Sequence, residues 1–312
     1  MDIIYDLEKL EGPLKNPVIT IGNFDGVHKG HLVLFDTVKD RAKGINGESA
    51  IITFDPHPIK VMKPGNGPTL ITSTKQKLEL IEKSGVDVIF CLPFTRQFAS
   101  IPARDFVQDI LVDKIGIREV VVGYDYAFGY KREGGIKLLQ EMGDTIGFKV
   151  HVVEPIHLNS TLVSSTSIRK FIQEGVLQEA KRFLGRDYQI SGTVISGKNR
   201  GGRLLGFPTA NIKLIDELIP KRGVYAVTVD VDDETYYGVS NIGYNPTFGD
   251  NALSLETHIL DFSGDLLEKT ISINFIEHLR NEKTFQSVQE LSDQIAKDIQ
   301  RARESFRLRE EE

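Results

Sequence analysis

At 312 residues the chain is longer than one hydrophobic core usually serves, so two domains are the default expectation. Hydrophobic residues make up 40% and charged residues 26%, which excludes wholesale disorder, and the mild formal charge of -6 argues against nucleic acid as a main partner. The single cysteine, Cys91, excludes an internal disulfide; with no basic leader before an apolar run and no stretch near ~18 consecutive apolar residues, the sequence predicts a cytoplasmic protein without a membrane partner.

From residue 17 to about 156, short β-branched runs alternate with segments of helical period. Strands are predicted over 18–21, 50–54, 86–90, 119–122 and 149–153, and helices over 32–42, 75–83, 104–115 and 135–146. Several strands are apolar on both faces, as in a parallel sheet covered by helices on each side, and Phe106, Val107, Ile110 and Leu111 mark one apolar helix face. The pattern predicts an α/β, doubly wound N-terminal domain. A further helix opens near 163–169 and another covers 177–184, after which the boundary falls, giving domains 1–186 and 187–312. Beyond it the strands are rich in Val, Ile, Thr and Tyr. In 225–231 the odd positions are apolar, Asp232, Asp233 and Glu234 make a turn, and 236–239 resumes the strand, which predicts an antiparallel β-barrel. Val288, Leu291, Ile295, Ile299, Ala302 and Phe306 recur at three- and four-residue steps, the stripe of one long C-terminal helix with the barrel as the nearest partner surface.

The first strand runs into Gly22-Asn23-Phe24-Asp25-Gly26-Val27-His28-Lys29-Gly30-His31, and a helix is expected from about His31. The end of a parallel strand at the start of a helix is where such sheets bind phosphate. Gly22, Gly26 and Gly30 allow close approach of the backbone. His28 and His31 can donate hydrogen bonds to phosphate oxygens and stabilise charge during attack at phosphorus. They could instead be two ligands of a zinc site, which would require a third ligand; no HExxH or CxxC pattern accompanies them. Ser165 and Thr166, followed one turn later by Arg169, place hydroxyls and a guanidinium at a helix start, an anion clamp.

The stretch from Gly22 to His31 resembles the HxGH signature of the nucleotidyltransferase superfamily, in the form found in bacterial FMN adenylyltransferases. Thr53-Phe54-Asp55-Pro56-His57-Pro58, the segment Val122 to Gly129 and Val163-Ser164-Ser165-Thr166-Ser167-Ile168-Arg169 are similar to further motifs of that family. The resemblance implies a Rossmann-like nucleotidyltransferase domain that binds ATP through Gly22, Phe24, Asp25, Gly26, His28, His31, Ser165, Thr166 and Arg169, with His28, His31 and Arg169 catalytic. It also implies flavin contacts from Asp55, His57, Asp125 and Phe128. On the residues alone, His57 between two prolines equally suits a rigid turn, and Asp125 with Phe128 equally suits loop packing.

The second half opens with a glycine-rich, basic run from Gly197 to Gly206 that ends in Phe207-Pro208-Thr209-Ala210-Asn211. It is not a Walker A loop, since no helix follows a GK[ST]. Thr209 and Asn211 are two apart on a predicted strand, and a hydroxyl with an amide oxygen is a donor set suited to Mg2+ on ATP phosphates. The RGGxxLGFPTAN pattern resembles the riboflavin kinase family, as do 241–248 and 255–260. That resemblance implies an ATP site at Gly197, Arg200, Gly201, Gly206, Pro208, Thr209 and Asn211, a metal held by Thr209 and Asn211, and flavin contacts from Asn241, Thr247 and Glu256, with Glu256 as catalytic base. Read without it, Glu256 alternates with apolar neighbours and faces solvent.

Together these resemblances imply a bifunctional enzyme of FAD biosynthesis: riboflavin is phosphorylated to FMN by the barrel, and FMN is adenylylated to FAD by the first domain, each with ATP. Its partners are those small molecules, and the chain is expected as a monomer or weak homo-oligomer. An adenylyltransferase for another phosphate acceptor and a non-catalytic flavin-binding protein are the alternatives.

Overall fold

Runs such as Val18-Ile19-Thr20-Ile21 offer no polar face, so they are stable as strands only where both sides of a sheet are covered. The computed structural model, which describes residues 2–10, 12–196, 207–214, 218–244 and 253–310, supplies that cover. By internal contacts the chain divides into Met1–Ser165 and Thr166–Glu312.

In the first unit six parallel strands, β1 Asp2–Ile4, β2 Val18–Ile21, β3 Ser49–Asp55, β4 Val88–Pro93, β5 Glu119–Gly123 and β6 Lys149–Val153, lie in the order β1-β4-β3-β2-β5-β6. The main helices are α1 Lys29–Gly44, α2 Thr74–Glu82, α3 over 103–115 and α4 Ile136–Ile146. Alternate strand residues serve opposite cores: Ala50, Ile52 and Phe90 pack with Val107 and Leu139, whereas Ile51, Ile89 and Cys91 pack with Phe35 and Ile81. The sheet is therefore doubly wound, as expected. From β2 the chain builds β3 and β4 on one side and then returns to place β5 on the other. The carboxyl ends of β2 and β5 thus flank the switch point where such sheets open a ligand crevice.

Four local expectations are corrected. The edge strand β1 has no counterpart among the predicted strands; three half-exposed residues carry too little pattern. Strand β4 starts at Val88 rather than Val86, because the Asp87 side chain first accepts from Ser49 N–H at 2.8 Å and from its hydroxyl at 2.6 Å. Helix α1 begins at Lys29, with His28 as its cap, rather than at His31. The predicted face of α3 is buried, but from Phe106 to Ile115 the helix has π-type hydrogen bonding that ends at Gly116 in the left-handed region, φ 75°. Periodicity alone does not separate the two hydrogen-bond patterns.

In the second unit, strands β7 Tyr188–Ile195, β8 Ala210–Ile212, β9 Gly223–Val231, β10 Glu234–Tyr244, β11 Leu253–Ile259 and β12 Thr270–Arg280 close into an antiparallel barrel in the order β7-β8-β11-β10-β9-β12. Tyr225, Val227, Val229 and Val231 are all buried, as their alternation predicts. Helix α5 Ser165–Glu174 spans the division between units, and α6 Leu177–Leu184 packs its buried Leu177, Ala180, Phe183 and Leu184 face beside β7 and β12. The C-terminal helix α7 Val288–Glu310 covers the barrel through Ala302 and Phe306, the latter stacked on Tyr237 at 4.1 Å. Val288 is 60% exposed and so does not belong to the packed stripe. A residue outside that stripe, Asp298, is buried instead, because Arg280 of β12 reaches it with Nε at 2.9 Å and Nη2 at 2.8 Å.

Candidate active sites

At the first site the fully buried β2 delivers the chain to the rim, where Gly22 N–H donates to Ile52 carbonyl at 3.0 Å. Phe24 then turns inward at φ 49°, and its ring meets His31 edge-on at 5.2 Å and Phe35 at 4.9 Å. Asp25 is buried because its carboxylate accepts from the N–H groups of Ile71 at 2.9 Å and Thr72 at 3.2 Å, which ties the loop to the segment before α2. Gly26, at φ 84°, takes a conformation that a side chain would strain, and its N–H donates to the Thr72 hydroxyl at 3.1 Å.

The chain emerges from that fold-back at His28, which caps α1. The His28 and His31 rings stack at 3.5 Å with 19° between planes. His31 Nδ1 accepts from the His28 backbone N–H at 3.4 Å, so the neutral His31 ring carries its proton on Nε2, a donor at the positive end of a 16-residue helix. Gly30 explains the spacing of the motif: a Cβ there would lie 3.1 Å from the His28 ring. Ser165 joins this loop, its hydroxyl donating to Asp25 carbonyl at 2.9 Å. Thr166 and Arg169 follow on α5, three residues apart. Among the described residues no group of three His, Cys, Asp or Glu side chains is arranged to hold a metal ion.

The remaining predicted residues of this unit differ in placement. Asp55 accepts from the Thr74 hydroxyl at 2.6 Å, and His57 Nδ1 accepts from Ile59 N–H at 3.1 Å, capping the short helix Pro58–Met62. Asp125 is exposed just after β5, at the switch point. Phe128 is instead a core residue, packed on Phe106 at 5.7 Å and Tyr126 at 5.4 Å. Sequence reasoning passed over Lys77. Its ammonium donates to Phe54 carbonyl at 2.9 Å, and it lines a small polar pocket with Asn23, Asp25, His57, Thr72 and Thr74. Burial pushes the Lys77 ammonium below its ordinary value, against the pull of Cys91, Asp55 and Asp25. A lysine buried within an amphipathic helix gives no signal in periodicity.

At the second site the barrel register is informative. Glu256 of β11 pairs with Asn211 of β8 on one side and with Asn241 of β10 on the other, so three predicted residues occupy one rung. Leu255, Thr257 and Ile259 point into the barrel and are buried, which puts Glu256 on the outer face, partly exposed. Asn211 is buried beside it. Pro208, Thr209 and Ala210 line a cleft of roughly 510 Å³ whose other walls include Ser196, Thr257, Phe262 and Leu266. Ser196 and Phe207 are the residues that flank the glycine-rich run in the sequence; Gly197, Arg200, Gly201 and Gly206 themselves, and Thr247, lie outside the described residues. Two further interactions escaped the sequence: the Ser240 and Thr257 hydroxyls bond at 2.7 Å inside the barrel, and His258 Nδ1 lies 2.7 Å from Pro208 carbonyl.

Comparison with known proteins gives the same division. The FAD synthetase family model matches residues 11–167 and the riboflavin kinase family model matches 184–306. A protein of Listeria monocytogenes described as bifunctional riboflavin kinase/FMN adenylyltransferase is 40% identical over 294 residues, 93% of each chain. One of Pseudomonas fluorescens with the same description is 37% identical over 304 residues, 97% of each chain. A crystal structure from Streptococcus pneumoniae, described as a macrolide-efflux protein, superposes with a TM-score of 0.86 at 29% identity, covering 97% of this chain and 98% of that one. Among the described residues here, no helix is long and apolar enough to cross a membrane.

Proposed function

Because this chain belongs to the bifunctional riboflavin kinase/FMN adenylyltransferase family, we propose how its residues divide the two reactions between them. The enzyme transfers phosphoryl from ATP to riboflavin, giving FMN, and adenylyl from a second ATP to FMN, giving FAD and pyrophosphate.

In the kinase, Glu256 takes the proton from the attacking riboflavin hydroxyl. The observation that carries this assignment is the Asn211–Glu256–Asn241 rung, which sets a carboxylate between two amides at the same level of the barrel wall. Asn241 and Thr247 orient the flavin. Thr209 and Asn211, a hydroxyl and a nearly buried amide with oxygen donors two residues apart, fit a magnesium ion, which when bound neutralises charge on the ATP phosphates. The basic, glycine-rich Gly197, Arg200, Gly201 and Gly206, with Pro208, complete the nucleotide site.

In the adenylyltransferase, His28 and His31 donate to the oxygens that gain charge as the FMN phosphate attacks the α-phosphorus. The stacked rings at the start of α1 support this role, since donors held rigidly in place cost no reorganisation when charge develops. Gly22, Phe24, Asp25 and Gly26 shape the loop. Ser165, Thr166 and Arg169 bind phosphate by their match to the family motif, and Asp55, His57, Asp125 and Phe128 are assigned to the flavin side on the same ground. Since Asp25 and Phe128 are committed to internal contacts, their part is to position neighbouring groups. We take the two domains as 1–186 and 187–312; the FAD synthetase match ends at 167 and the riboflavin kinase match begins at 184, just ahead of that boundary. The lone, buried Cys91 suits the reducing cytoplasm, and a monomer or weak homo-oligomer suffices because each proposed site draws on one chain.

The test is a product assay with riboflavin, ATP and magnesium. His31→Ala is expected to accumulate FMN and make no FAD, and Glu256→Gln to leave riboflavin unconverted while still making FAD from supplied FMN. Loss of both activities in either folded variant would show the division to be wrong.

A further inference from the structure

Thr209 must be held in place if it is to share a metal with Asn211, yet the sheet does not hold it. The β8–β11 ladder pairs Ile212 with Leu255, Asn211 with Glu256 and Ala210 with Thr257, and stops there. The next residues back along the chain are Thr209 and Pro208, and a proline has no N–H with which to continue a ladder. A side chain from the neighbouring strand supplies the missing contact. His258, two residues beyond Glu256 on the same outer face of β11, places Nδ1 2.7 Å from the Pro208 carbonyl oxygen and meets the Phe207 ring edge-on at 5.6 Å and 84°. A carbonyl oxygen only accepts, so Nδ1 carries the hydrogen and the tautomer is fixed.

We propose that His258 is a positioning residue for phosphoryl transfer: its Nδ1–H holds the Pro208 carbonyl and so keeps Thr209 in line with Asn211. The inference rests on the metal-holding role proposed for Thr209 and Asn211. In this assignment His258 acts through Pro208 rather than through substrate or metal. It links the strand that carries the base to the segment that carries the metal donors, so that the two approach the ATP phosphates at a fixed separation. One hydrogen bond of this kind corresponds to a change of about fivefold to tenfold in an equilibrium that depends on it.

The experiment compares the full-length enzyme with three variants, measuring riboflavin phosphorylation as a function of magnesium concentration, the KM for riboflavin, and thermal melting. His258→Phe keeps the ring against Phe207 and loses the donor. It is expected to raise the magnesium concentration for half-maximal rate about fivefold to tenfold, with the riboflavin KM and melting temperature unchanged. His258→Asn, whose amide nitrogen stands where Nδ1 stood, is expected to stay close to wild type. Thr209→Ala tests the premise separately and is expected to shift the magnesium dependence at least as far. If Thr209→Ala shifts it and His258→Phe does not, or if the Asn variant falls as far as the Phe variant, the positioning role is overturned. A normal magnesium dependence in Thr209→Ala overturns the metal assignment instead. Should His258→Phe melt early, His258→Gln, which moves the donor to the Nε2 position, replaces it with the same expectation.

Discussion

Gly30→Ala adds a single methyl group at a position where the proposed adenylyltransferase site has no room for it. The new Cβ would lie 3.1 Å from both Cε1 and Nδ1 of His28, closer than carbon atoms normally pack. The ring cannot swing away, because it is buried and stacked at 3.5 Å on His31, which in turn abuts Phe24 at 5.2 Å. Over-packing of this kind costs about 1–3 kcal/mol. Against it, alanine is favoured over glycine inside a helix by up to ~1 kcal/mol, and Gly30 is the second residue of α1. The gain offsets only part of that cost and leaves about 0–2 kcal/mol of destabilisation, so thermal melting should fall by no more than a few degrees. No such offset applies in catalysis, where displacing a catalytic donor by a fraction of an ångström to about 1 Å costs on the order of 10- to 100-fold. Chromatographic assay of FMN conversion to FAD is therefore expected to show a loss of about that size, with riboflavin phosphorylation at the wild-type rate. A Gly30→Ala enzyme that adenylylates FMN normally would refute the claim that the stacked histidines must stay where they are.

Two further expectations concern what holds each unit together. Asp298→Ala leaves Arg280 of the barrel without its buried carboxylate partner, and since Arg280 keeps some exposure the cost should fall below the ~3–5 kcal/mol of a fully buried pair, at about 2 kcal/mol, seen as a thermal midpoint lowered by roughly 5–10 °C. Unchanged melting would mean that the pair contributes nothing. In the first unit, burial alone would raise the Glu119 carboxyl, but hydrogen bonds from Arg41 at 2.7 Å and His151 at 2.8 Å outweigh it and hold the group below its ordinary 4.5. A depressed carboxyl stabilises the fold above its unfolded value and loses that contribution as pH falls through the folded value. Glu119→Gln should therefore be less stable than wild type at neutral pH, with the difference shrinking below pH 4.5; a difference constant down to about pH 3 would contradict the assignment.

Much of this architecture is legible in residue order because the signals are local. A buried parallel strand must be apolar on both faces, and a barrel strand must alternate, so Val18 to Ile21 and Tyr225 to Val231 identify themselves. The His28–His31 spacing is readable for the same reason, being set within one helical turn. What the sequence does not disclose depends on distant partners. The burial of Asp298 requires Arg280, and the buried ammonium of Lys77 requires the carbonyl of Phe54. Glu256 looks like any solvent-facing residue until pairing across two neighbouring strands puts it between Asn211 and Asn241. Phe128 shows the converse: an aromatic side chain in a functional-looking loop whose burial in the core is not announced by its neighbours in sequence.

The central claim is that one chain carries two complete and independent sites, each with its own indispensable residues. It is tested most directly by mixing His31→Ala with Glu256→Gln and supplying riboflavin, ATP and magnesium. Neither variant alone should make FAD; together they should, since FMN released by the first is substrate for the second. If the mixture makes no FAD while each variant is folded and retains its expected partial activity, FMN does not pass between separate molecules. If each variant alone makes FAD, the catalytic assignments are wrong.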